Sequence, residues 1–184
     1  MEETHRIKKF FKKVVAGCDF GYTNPMVCLV VGLDSDDRFF VIDEFYEKRV
    51  VFDIFLNVCE DFRKKYGIEA FYCDPSEPML IQQMNNFGLN AISAENEIIP
   101  GINKIYTMLE DAGDGKPRLF VDKKCVNTIT EFEQYSYADT KDGKPLKDVP
   151  LDVFNHSLDS LRYIVNSLGA GEMRLLPDDH GAFF

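Results

Sequence analysis

"VVAGCDFGYTNPMVCLVVGLDSDDRFFVIDEFYEKR", residues 14–49, decides the fold class. Three strand-like apolar runs, roughly 14–20, 26–33 and 38–46, are separated by the turn-forming clusters GYTNP and DSDD. Connections this short force antiparallel neighbours, so the stretch predicts a three-strand meander. The DSDD run at 34–37 lacks the spacing of an EF-hand loop and reads as a solvated turn.

Outward from the meander, helix and strand signals alternate. Phe52, Phe55, Leu56, Cys59 and Phe62 fall at helical spacing, with Gly67 at the C-cap position. IEAFYCD predicts a short buried strand ending at Asp74, and PSEPMLIQQMNNFG a helix with proline near its first turn. LNAISAEN and PRLFVD read as strands; Ile99–Leu109 and VNTITEFEQY read as helices. YADTKDGKPLKDVP carries an Asp-Gly pair and predicts a hairpin or a long loop. A last helix follows, and after Gly169 no periodicity remains. The order predicts an α/β class with a mixed sheet. Residues 1–13 form a basic lead-in, 14–169 the domain, and 170–184 a flexible tail.

A chain of 184 residues suits one such domain. No apolar run approaches the roughly 20 residues that cross a bilayer, and the start lacks the apolar core of a signal peptide. The cysteines at 18, 28, 59, 73 and 125 are odd in number and form no C-x-x-C pair, which predicts free, buried thiols. The net charge of -10 repels nucleic acid on average. Two features offset it: cations bound at an acid cluster, and basic residues bunched at 6–13 and at Lys141, Lys144 and Lys147. No Walker A loop, dinucleotide loop or G-x-S-x-G elbow is present.

Three acids stand in costly places. Asp19 ends an apolar strand, and Asp74 repeats the situation before Pro75. Each follows a cysteine, so alternation puts Cys18 and Cys73 on the face opposite to the two acids. Neighbouring strands would bring both acids out at one sheet edge. In the last helix, FNHSLDSLRY at 154–163, His156 and Asp159 share a face beside the apolar stripe Leu158, Leu161, Ile164, Val165 and Leu168. Glu44 is either a fourth acid of the set or a solvated strand residue. Lys104 is either a phosphate contact or a surface lysine, and Arg162 pairs with an acid on or near its own helix. Convergent carboxylates suit hard Mg²⁺ or Mn²⁺ ions, and two ions about 3.5–4 Å apart suit in-line phosphodiester hydrolysis.

These motifs resemble the C-terminal nuclease domain of the large terminase subunit of tailed phages, a ribonuclease H-like fold. The matching stretches are GCDFGYTNPMVCLVVGLDSDDRFFVIDEFYEKR, AFYCDPSEPMLIQQMNNFGL with GINKIYTMLED, and NHSLDSLRYIV, in that order. The resemblance implies Asp19 as the acid contacting both metals, Asp74 and Asp159 as acids holding one each, and His156 tuning the site or contacting phosphate. The family often has Asp before this histidine; Asn155 stands here, with Asp152 a candidate substitute. It further implies double-stranded DNA as substrate, the host cytoplasm as location, and an ATPase domain, small terminase subunit and portal protein as partners. On this reading the chain is an isolated domain whose DNA contacts include Lys141, Lys144, Lys147 and Lys104. Two alternatives stand beside it: a resolvase- or transposase-like nuclease of the same superfamily, and a non-catalytic module docking on a capsid or portal component.

Overall fold

β2 (Met26–Leu33) is buried along its whole length. That marks it as a central strand covered on both faces. The computed structural model describes residue 7 and residues 9–134, 137–139, 145–150 and 155–168. Asp152, Lys141, Lys144, the side chain of Lys147, residues 1–6 and the 170–184 tail lie outside the described residues.

The meander forms as its spacing predicts. β1 (Lys13–Asp19) pairs antiparallel with β2, and β2 with β3 (Phe39–Glu47). α1 (Phe52–Tyr66) then carries the chain across to β4 (Phe71–Cys73), which lies parallel to β1. Arg63, Lys64 and Lys65 occupy its last turn, where cations favour the negative helix end, and Gly67 closes it with φ 71°. α2 (Pro78–Asn86) leads to β5 (Ala91–Ser93), parallel to β4, and α3 (Ile98–Leu109) to β6 (Leu119–Val121), parallel to β3. The sheet order is β5-β4-β1-β2-β3-β6. α4 (Val126–Gln134) precedes a separate two-stranded ribbon, β7 (Tyr137–Asp139) with β8 (Pro145–Pro150), and α5 (His156–Ser167) follows. Within the YADTKDGKPLKDVP segment the described residues pair antiparallel, as a hairpin requires. This is the ribonuclease H-like mixed sheet: an antiparallel meander, parallel strands, and flanking helices.

Alternation along β1 splits the core. Val14, Ala16 and Cys18 face α1, where Phe55, Leu56 and Cys59 meet them. Val15 faces the other way, into a cluster with Leu161, Ile164 and Val165 of α5. Those three α5 side chains are at most 2% exposed, and burying each stabilises the fold by about 1.5–3 kcal/mol. α5 can lie this close because of Gly17: a Cβ there would sit 2.0 Å from the Ser160 carbonyl oxygen. The helix carrying His156 and Asp159 is thereby pressed onto the strand carrying Asp19.

Candidate metal centre

Asp19 is the last residue of β1, and Asp74 follows the last residue of β4. The register pairs Cys18 with Cys73, and the Asp74 amide donates to the Cys18 carbonyl at 3.0 Å. The two acids therefore leave the carboxyl ends of adjacent parallel strands side by side, where open α/β sheets form their crevices. α5 brings Asn155, His156, Asp159 and Arg162 over the same edge. All six line one open cavity of about 560 Å³.

Each acid has its own partners. Asp19 Oδ2 lies 2.9 Å from His156 Nδ1, and Oδ1 accepts from the Tyr163 hydroxyl at 3.4 Å. Asp74 accepts from the Ser76 amide at 2.9 Å and the Ser76 hydroxyl at 2.8 Å. Asp159 Oδ1 accepts from Arg162 Nη2 at 2.7 Å and Nε at 3.1 Å, and Oδ2 from Asn155 Nδ2 at 3.0 Å. Arg162 also donates to Asn96 Oδ1 at 2.5 Å.

Burial raises the Asp19 carboxyl above its ordinary range; His156 draws it back, and Asp74 pushes it up again. Burial likewise raises Asp159 against the pull of Arg162. The hydrogen bond to Asp19 raises His156, so this ring keeps its proton to higher pH than a free histidine. Acids held this way tend to keep a proton, or to take up a cation in its place. Oxygen donors around an open, hydrated cavity fit a hard divalent ion. The carboxylates are not drawn tight: among the described residues, the only set of three or more His, Cys, Asp or Glu donors with atoms mutually within 4.8 Å is Cys18, Cys28 and Cys59. Like charges repel, and Arg162 holds Asp159 to its own side. The thiols lie on the opposite face, buried and free, and burial keeps Cys18 and Cys59 protonated.

Two further candidates lie away from the cavity wall. Glu44 joins neither the acid set nor the solvent: its carboxylate accepts from the Asn127 and Thr128 amides at 2.8 and 2.9 Å, with further bonds to Asn127 Nδ2 and Thr128 Oγ1. It caps α4, because β3 points Glu44 at the unsatisfied first-turn amides of that helix. Lys104 does not line the cavity; it is half-buried on α3 and donates to Asn166 Oδ1 at 3.4 Å. The DSDD turn holds, though Asp34 is 7% exposed and accepts from the Asp36 and Arg38 amides. Tyr163 is 3% exposed.

The sequence reading missed Glu131, Tyr46 and Asn96. Glu131 is 2% exposed and accepts from the amides of His156, Ser157 and Leu158 at 3.1, 2.7 and 3.1 Å, and from the Tyr46 hydroxyl at 2.8 Å. One signal was available: α5 opens Asn155-His156-Ser157-Leu158, with no acid at the third helical position to complete a capping box.

A ribonuclease H-like sheet with acids at the ends of β1 and β4 and on the last helix defines the structural class. Comparison with known proteins narrows it to the nuclease fold of large terminases. A large terminase from a thermophilic bacteriophage superposes with a TM-score of 0.73 at 24% identity, covering 86% of this chain and 40% of that one. The nuclease domain of the bacteriophage SPP1 large terminase, solved with bound Mn, superposes with a TM-score of 0.66 at 22% identity, covering 86% of this chain and 88% of that one. In sequence, the PBSX phage terminase large subunit of Bacillus subtilis (strain 168) is 23% identical over 160 residues, 86% of this chain. The chain spans 35% of the length of that relative. No family model matches. The fold is that of the resemblance read from the sequence.

Proposed function

We propose that this chain is the endonuclease domain of a phage DNA-packaging large terminase, hydrolysing phosphodiester bonds of concatemeric double-stranded DNA with divalent metal. The observation that carries it is the convergence of Asp19, Asp74 and Asp159, from β1, β4 and α5, on one open cavity. The SPP1 domain of the same fold binds Mn, which supports the choice of ion. Asp19 would be shared between two ions, with Asp74 and Asp159 each holding one. Bound there, Mg²⁺ or Mn²⁺ would activate a water and stabilise the leaving oxygen.

The chain's own residues prepare that site. His156 fixes the orientation of Asp19 through Nδ1, and that bond favours the protonated ring. Arg162 and Asn155 keep both oxygens of Asp159 in place. The partners would be the ATPase domain of the same terminase, its small subunit and the portal protein, in the host cytoplasm. Among the described residues no helix is long and apolar enough to cross a membrane. DNA contacts through Lys141, Lys144 and Lys147 belong to the same proposal.

The test is cleavage of supercoiled plasmid with Mg²⁺, Mn²⁺ or EDTA. Wild type should nick and linearise the plasmid with metal and leave it intact in EDTA. Asp19→Asn, Asp74→Asn and Asp159→Asn should be inactive while folded. A folded wild type that leaves the plasmid intact with either ion, and takes up no Mn²⁺ in a calorimetric titration, overturns the reading.

A further inference from the structure

We propose that Glu131 is a positioning residue of this site: it caps the helix that carries His156 and Asp159, and so leaves Asn155 to hold Asp159. The proposal rests on the nuclease reading above and concerns how its site is kept in shape.

Helix starts leave their first amides without intrahelical partners, and asparagine is among the best residues for satisfying them from the N-cap position. Asn155 is the N-cap of α5, with φ −133° and ψ 3°, yet its side chain makes no cap hydrogen bond. Its Nδ2 donates instead to Asp159 Oδ2 at 3.0 Å. The capping task falls to Glu131, which reaches across from α4. One carboxylate accepts from the first three amides of α5, at 3.1, 2.7 and 3.1 Å. Its fourth donor is the Tyr46 hydroxyl of β3 at 2.8 Å.

Four donors saturate the two carboxylate oxygens, and a negative group at a helix start gains from the aligned peptide dipoles. The same contacts tie β3, α4 and α5 together around His156. Tyr46 packs edge-on against the His156 ring at 6.5 Å between centroids, and that ring reaches Asp19 at 2.9 Å. Glu131 does not line the cavity and touches no reacting group, so it acts only through its neighbours.

A glutamine at 131 offers one acceptor oxygen and turns an NH₂ group toward amide donors. Buried amides left without acceptors are costly, and Asn155 holds the N-cap position from which a side chain ordinarily accepts from them. To accept from them, Asn155 must turn away from Asp159. Damage at Glu131 is therefore passed to the carboxylate that is to hold metal. Glu44 provides the control, because it is a four-donor carboxylate cap on α4 that does not line the cavity.

The experiment compares wild type, Glu131→Gln and Glu44→Gln, well below their melting temperatures, by kcat and KM for plasmid nicking and by Mn²⁺ affinity in calorimetry. Glu131→Gln should lose about 10- to 100-fold in kcat or Mn²⁺ affinity, the range for residues that orient metal ligands, with KM for DNA little changed. Glu44→Gln should lower the melting temperature and leave both readings near wild type. Equal readings for Glu131→Gln and wild type, or equal losses in the two variants, overturn the proposal while the nuclease reading stands. A wild type that neither cuts DNA nor binds Mn²⁺ overturns both. If Glu131→Gln does not fold, Asn155→Ser decides: serine caps a helix well but is too short to hold Asp159. It should keep the melting temperature and weaken Mn²⁺ binding; undiminished Mn²⁺ binding overturns the proposal.

Discussion

Glu44 and Glu131 are carboxylates pointed at helix starts; Asp19, Asp74 and Asp159 are carboxylates pointed at a cavity. Each glutamate collects four hydrogen-bond donors, two on each oxygen. The aspartates collect fewer. Among the described residues, Asp19 has His156 and a long bond from Tyr163, and Asp74 has the amide and hydroxyl of Ser76. Asp159 has three bonds from Arg162 and Asn155. A carboxylate offers about four lone-pair sites, so among the described residues the donors fill the glutamates and do not fill the aspartates. The difference separates acids whose bonds the fold supplies from the acids that the proposed function assigns to metal.

Neutral isosteres should split the two groups in opposite directions. Asp19→Asn removes a charge that burial and a neighbouring acid disfavour. Cleavage should vanish while the melting temperature of the metal-free protein rises. An Asp19→Asn variant that loses both activity and stability would place Asp19 with the glutamates, as a structural acid. Scanning calorimetry in EDTA beside the plasmid assay reads both quantities.

How much of this division could be read from the chain depends on distance in sequence. Asp19 and Asp74 are legible because a charge ending an apolar strand stands out locally, and the Cys-Asp pairs give both strands the same phase. His156 and Asp159 are legible because helical spacing puts them on one face. Glu44 stood open between a fourth member and a solvated residue because strand periodicity tells which face a residue takes, and not what lies over that face. Its partner, the start of α4, is 83 residues away. Glu131 was hidden for the same reason: an acid in VNTITEFEQY looks solvated until α5, 26 residues on, presents its amides. The meander and its turns were legible because connections of a few residues leave one topology. The place of β6 beside β3 was not, since nothing local specifies a parallel partner.

Arg162 bridges the two groups, and its removal should produce the next largest effect. Its side chain is 5% exposed and supplies two of the three bonds to Asp159. Arg162→Met leaves a largely buried carboxylate without its countercharge, a loss of about 3–5 kcal/mol. If Asp159 is a cation site, saturating Mn²⁺ should restore part of that loss, because the ion replaces the missing positive charge. Urea unfolding with and without Mn²⁺ measures it. A deficit that Mn²⁺ leaves unchanged would show that Asp159 serves Arg162 and not a metal.

Glu44→Ala sharpens the other side. It leaves the first-turn amides of α4 and the Thr128 side chain without their acceptor, which should cost about 1–3 kcal/mol. Mn²⁺ affinity should stay as in wild type, since Glu44 is not part of the cavity wall. A change in Mn²⁺ affinity of tenfold or so, about 1.4 kcal/mol, would return Glu44 to the acid set.

The smallest effect is the slope of stability with pH. Asp19, Asp159 and Glu131 are all raised by burial, and His156 is raised by its bond to Asp19. In each case the folded protein holds the proton more tightly than the unfolded chain, so stability falls as pH rises. For the carboxylates the stabilisation is complete below their unfolded values near pH 4 and is lost as pH rises through the raised values; for His156 it is complete below about pH 6.5. Asp43 runs the other way: burial raises it, but Tyr66 and Lys124 outweigh burial and hold it low, so its contribution is lost only in acid. The metal-free protein should therefore melt highest in mild acid and progressively lower toward about pH 8. Saturating Mn²⁺ should reverse the slope, because carboxylates that hold a cation release their protons and bind it better as pH rises. A slope that Mn²⁺ does not touch would mean that the protons sit on Glu131 and the other structural acids, and the boundary between the two groups would have to be redrawn.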